Sequence, residues 1–296
     1  MNRDDSSDSV SLRLWILAVL LTSFLMACSS STSPPTGPGV DYQQAKVMFK
    51  QGNLDRVLNL TDAMASGSSN SPDSLNARVL RAVIFSSRVI AYKELADTYE
   101  KGSQVAKNPQ SISSYNSHLS NALQFGSDSA LNLGEVVMEL TAKPDFPSDL
   151  TLDAPWPSVE GPGAVDALAR IRRGLWVPED AQHSAGIDTQ RKALDDVLGQ
   201  LVGGGRSKAR TAMTAGPVKL DRLDFALFLE KQMVAGLALF GPKYLASAGQ
   251  LKTLCGVANR LVPPIEAMLK QTPDKAKELE LKKLQKQIKD AEKAAA

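Results

Sequence analysis

The chain has 296 residues and a formal charge of +2, with Lys and Arg nearly balanced by Asp and Glu. That balance supplies no general basic field for nucleic acid, and no nucleic-acid partner is expected. The length beyond the first 40 residues suits one large domain or two ordinary ones.

Leu14 to Ala27 is uncharged and mostly apolar. A spanning helix needs about 20 such residues, whereas the apolar centre of a secretory signal is shorter. Arg13 stands directly before the run and Arg3 adds positive charge, although Asp4, Asp5 and Asp8 oppose it. The run ends in Leu25-Met26-Ala27-Cys28. These residues resemble a bacterial lipobox, with Leu at −3 and a small residue at −1; Met26 at −2 departs from the usual small side chain. The resemblance implies cleavage before Cys28 and a thioether-linked diacylglycerol on its sulfur. Two or more acyl chains, palmitate among them, anchor stably where one does not. Ser29 and Ser30 follow with no Asp at +2. In the lipoprotein family that implies the outer membrane, with the domain facing the periplasm. Ser29 to Val40 is rich in Ser, Thr, Pro and Gly and reads as a tether. With Cys28 acylated, Cys255 has no partner, and its apolar helical setting, "LKTLCGVA", predicts a buried inert thiol.

The rest reads as helices. Asp41–Gln51 and Leu54–Ala65 are joined by Gly52-Asn53, a helix stop and restart. Pro72-Asp73-Ser74 opens a long helix over 75–101, and another tract covers 111–141, weakened at Gly126 and Gly134. "AKVMFKQGNLDRVLNL", Ala45 to Leu60, resembles the turn of a tetratricopeptide (TPR) repeat: small Ala45, large Met48 and Phe49, Gly52 at the turn, then Leu54 and Val57. The resemblance implies antiparallel helical hairpins that stack to bury their apolar faces. "AYKELADTYEKG" resembles a second helix of such a pair, but its spacing does not return at 34 residues.

Pro144, Pro147, Pro155, Pro157 and Pro162 then forbid a helix. Trp156 among them is expected to clip two helical halves together. Helices resume over 164–175, 178–202, 220–240 and 245–261; Leu220–Phe240 is apolar nearly all round and reads as central. Asp221, Arg222, Asp224, Glu230 and Lys231 argue against a membrane span there. No period-two run long enough for a sheet is expected. The tail carries Leu281, Leu284, Ile288 and Ala291 as a narrow stripe, which fits either a solvated helix packing one face or a partner-binding helix. The expected organisation is a signal peptide at 1–27, a tether at 28–40, a TPR-like helical subdomain at 41–143, a Pro-rich linker at 144–163, a second helical subdomain at 164–272 and a charged amphipathic helix at 273–296. The fold class is all-α.

No residue pattern carries catalysis. His118 and His183 have no His or Cys at metal spacing, and His183 lies beside Glu179 and Asp180. "LVGGGRSKAR", Leu201 to Arg210, could offer backbone N–H groups, Arg206 and Lys208 to an anion, or simply end a helix and turn. No catalytic residue, metal site or cofactor is expected. The expected role is an interaction or scaffold module, lipid-anchored through Cys28, with a protein or peptide partner. The chain also loosely resembles the lipid-anchored TPR-like T component of periplasmic-binding transport systems. That resemblance implies a small-ligand binder, which a pocket lined by Trp176, Phe225, Phe228 and Tyr244 would favour. Cys28→Ala is expected to abolish incorporation of labelled palmitate in cells; label retained by the variant would rule out Cys28 as the acylation site.

Overall fold

A computed structural model describes residues 38–66, 71–143, 145–157, 165–240 and 248–295. The proposed signal peptide, Cys28, most of the tether, part of the Pro-rich stretch and Tyr244 lie outside them. The chain divides into Met1–Val40, of which only the first turn of a helix is described, and a compact unit, Asp41–Ala296.

The described residues form helices α1 (Pro38–Lys50), α2 (Leu54–Ala65), α3 (Pro72–Val105), α4 (Pro109–Leu140), α5 (Val165–Arg172), α6 (Glu179–Val202), α7 (Gly205–Ala215), α8 (Arg222–Leu237), α9 (Ala248–Ala258), α10 (Val262–Gln271) and α11 (Lys275–Ala294). The fold is all-α, as expected. The one exception is a two-residue antiparallel pair, β1 (Thr151–Leu152) with β2 (Val218–Lys219). Helix starts follow local chemistry. Ser71 and Asn108 accept hydrogen bonds from Ser74 N and Gln110 N, each just before a proline in the first turn. Asp221 and Asp274 cap α8 and α11 in the same way.

Every residue from Ala77 to Ser87 of α3 is buried. Helices α2, α4, α5, α6 and α8 and strand β1 pack around α3. Two of its buried positions are arginines. Arg78, 1% exposed, donates from Nε to Ala65 O at 3.0 Å and lies 3.4 Å from Glu139 of α4. Arg81 donates to Leu58 O at 2.8 Å and pairs with Asp62 at 3.0 Å. Together they tie α2 to the central helix. Helices α1 and α2 have 13 and 12 residues, while α3 and α4 have 34 and 32. The second pair of helices is therefore much longer than the first.

Helix α4 runs unbroken through Gly126 and Gly134, and Gly126 is a point of close approach. A Cβ on Gly126 would meet Leu239 at 2.9 Å and Tyr92 at 3.0 Å, and one on Gly236 of α8 would meet Ala130 at 2.8 Å. Small residues let α4 and α8 touch there. The core runs through both halves of the chain, from Tyr42 to Ile288, and includes Phe146, Leu150, Leu152, Ala154 and Trp156 of the Pro-rich stretch. Trp156 is buried within that shared core. A smaller cluster around Tyr99, Tyr115, Ile171 and Val177 fills the space between α3, α4 and α5. In α11, Leu281, Leu284 and Ile288 are buried, and Lys277 and Lys231 bridge α11 and α8 through Asp224 and Glu280, both at 2.6 Å. The tail stripe thus packs on its own domain. No helix among the described residues is long and apolar enough to cross a membrane.

Glu230 lies fully buried on α8, and neither carboxylate oxygen has a hydrogen-bond partner among the described residues. Burial pushes its pKa up from 4.5 to about 8. The folded protein therefore keeps a proton that the unfolded chain releases. Its contribution to stability is full below about pH 4.5 and is lost as pH rises towards 8. Replacing this buried carboxyl by Leu is expected to stabilise the fold by about 1–3 kcal/mol. Glu230→Gln is expected to flatten the decline in stability over that pH range. Denaturant titrations across the range check both outcomes.

Candidate functional site

The segment Leu150–Trp156 is an extended strap. Leu150, Leu152, Ala154 and Trp156 are buried, while Thr151, Asp153 and Pro155 are half-buried on the other side. This is the period-two burial of a strand. Only Thr151 and Leu152 of it count as strand, so the run stays too short for a sheet, as expected; "LTLDAPW" alternates, but its prolines dominate the reading. Only part of the strap is paired, because β2 meets Thr151 and Leu152, and Leu220 N donates to Leu150 O.

Helix α1 presents two faces. Tyr42, Ala45 and Phe49 point into the core, and Gln43, Val47 and Lys50 are exposed. This three- and four-residue spacing is that of an amphipathic helix. Asp153 joins the strap to α1 twice. Its carboxylate takes Lys46 Nζ at 2.8 Å, and its carbonyl accepts from the Tyr42 hydroxyl at 2.9 Å. Burial, and then the charge of Asp153, keep the Tyr42 hydroxyl protonated well beyond the ordinary tyrosine range.

Between α1, the strap and the α7–β2 turn lies an open cleft of about 900 Å³. Its lining comes from α1 (Gln43, Lys46, Val47, Lys50), from the strap (Asp153 to Pro155) and from Met213, Gly216 and Pro217. Gly216 has φ +145°, a conformation that suits glycine at the sharp turn into β2. A smaller hollow of about 240 Å³ lies across the α1–α2 turn, bounded by Pro157, Arg88 and Ile187. Gln51 lines both. The main cleft offers amides, two ammonium groups, one paired carboxylate and apolar atoms. Such a lining can hold a chain by ion pairs, hydrogen bonds and apolar contact.

Residues singled out in the sequence go elsewhere. Gly203, Gly204 and Gly205 form a positive-φ turn between α6 and α7. Arg206 pairs with Asp195 at 2.8 Å, and a Cβ on Gly204 would meet the Lys208 side chain at 2.5 Å. This stretch ends one helix and starts the next. His118 stacks on Tyr99 with ring centroids 4.9 Å apart and meets Glu179 at 2.9 Å, so that carboxylate serves His118. His183 is exposed on α6. Phe225 and Phe228 stack on each other in the main core, while Trp176 is 41% exposed at a separate surface. Cys255 is buried, and burial pushes its thiol up to about 11. Among the described residues, no group of three or more His, Cys, Asp or Glu could hold a metal ion.

The cleft itself escaped the sequence reading. Its walls lie more than 100 residues apart in the chain, and only the alternation in "LTLDAPW" and the exposed face of α1 hinted at it. No protein-family model matches the chain, and neither does any curated protein or solved structure. Asp153→Asn is expected to cost about 0.5–1 kcal/mol, the range of a partly exposed ion pair. It is also expected to speed hydrogen exchange across residues 150–156, read by mass spectrometry.

Proposed function

We propose that this chain is a lipid-anchored, outer-membrane interaction module whose helical domain binds a segment of a partner protein in the α1–strap cleft. The observation that carries this reading is Val47. It is an apolar side chain left 52% exposed on α1, beside Lys46 and Lys50, and it lines an open cleft of about 900 Å³. Exposed apolar groups rimmed by polar ones mark interaction surfaces. The lipobox at Leu25–Cys28 supports the anchor, and the Ser/Pro-rich stretch after it supports a tether. The TPR-like α1–α2 hairpin supports a binding role, since such hairpins commonly present a face to partner segments. The proposed role is non-enzymatic, and the cleft lining supplies groups suited to binding.

A photo-crosslinking amino acid at Val47, in the full chain in cells, tests this. The expected outcome is a discrete protein adduct that does not form from the same group at Val105, an exposed apolar position elsewhere on the molecule. Equal yields from both positions would remove the cleft as the binding site.

A further inference from the structure

The charge of the cleft narrows what it binds. Its charged lining is Lys46, Lys50 and Asp153. Asp153 is already satisfied by Lys46 at 2.8 Å. Lys50, one turn further along α1, is exposed. Lys219, two residues after the lining residue Pro217, adds a further positive charge on β2 outside the lining itself. In the β1–β2 register it stands opposite Thr151, so its side chain shares the outer face of the ribbon with Thr151 and, two residues on, Asp153. Lys219 directly follows Pro217 and Val218, and it is exposed. Asp149, further back on the strap, borders a separate hollow with Lys143 and Asp145. Arg210 of α7 acts on Asp195 instead. The cleft is therefore cationic at Lys50, with Lys219 nearby on β2, and apolar at Val47, Pro155, Met213 and Pro217.

We infer that the segment held in this cleft is an extended acidic peptide, with carboxylates meeting Lys50 and Lys219 and an apolar side chain resting on Val47 and Met213. This rests on the reading of the cleft as a polypeptide-binding site. Two features favour an extended occupant. One wall is an extended strap that is unpaired with β2 beyond Leu152, and the cleft is open rather than enclosed. An extended chain places alternate side chains on opposite sides, which matches a cleft with ammonium groups on its edges and an apolar floor.

The test uses residues 38–296, which contain the whole compact unit. Three fluorescent ten-residue peptides share one apolar pattern and carry Glu, Gln or Lys at the polar positions; binding is read by anisotropy. The Glu peptide is expected to bind at least about fivefold more tightly than the Gln peptide, the scale of one or two exposed ion pairs. Its affinity should weaken with added salt. Lys50→Glu, an exposed change whose folding is checked by circular dichroism, is expected to abolish that preference and admit the Lys peptide. Equal binding of all three peptides overturns the acidic occupant while leaving the cleft as a binding site. Binding of none overturns both. Glu-peptide affinity unchanged by Lys50→Glu places the peptide elsewhere and also overturns the inference.

Discussion

The burial of α3 is the constraint on which the rest of this structure depends. A helix of 34 residues is about 50 Å long. Through Ala77–Ser87 it leaves no face to solvent, so neighbours must cover every side. Helix α2 covers one side, and the long α4 lies along another. Helices from beyond residue 165 complete the wrapping. The two halves of the chain therefore cannot bury their apolar faces separately, and one core runs through both.

Burying such a helix creates polar obligations. Arg78 and Arg81 sit where a charge would be costly unless paired, and they meet carbonyls and acids of the α2 and α4 helices. The pairing has a price on the other side: burial raises the pKa of Glu139 despite the nearby Arg78. Glu230 is the opposite case, a carboxyl with no partner among the described residues that stays neutral by holding its proton. The molecule thus combines two ways of keeping an acid near its core, one by cation and one by protonation.

The strap turns this core into a surface. Its even-numbered residues insert Leu150, Leu152, Ala154 and Trp156 among the helices, which pins its backbone. Its odd-numbered residues are then delivered outward at fixed positions. Asp153 uses that position to reach α1, and the space between strap and helix becomes the cleft. Prolines that prevent a helix here also limit strand pairing, since a proline has no N–H to donate. An extended segment with little pairing on one edge is the natural product of this composition.

Much was legible beforehand. The all-α class, most helix spans, the start of α3 at Pro72 and the packing stripe of α11 follow from periodicity and terminal residues, because these are local. The strap was partly legible, as alternation in "LTLDAPW" masked by prolines. Other features were not. Nothing local in "LRAVIFSS" marks the centre of the protein, since burial on all sides depends on which helices arrive from elsewhere. The closeness of Lys46 and Asp153 spans 107 positions. The buried state of Glu230 reads, in sequence, like any charge on a helix. By itself the sequence determined the helices, their ends and the acylation motif at Cys28 as a resemblance, because each depends on neighbours within a few residues. Only the tertiary structure decided the single shared core, the cleft and the neutral acid, because each arises from segments that meet only when the chain folds around α3.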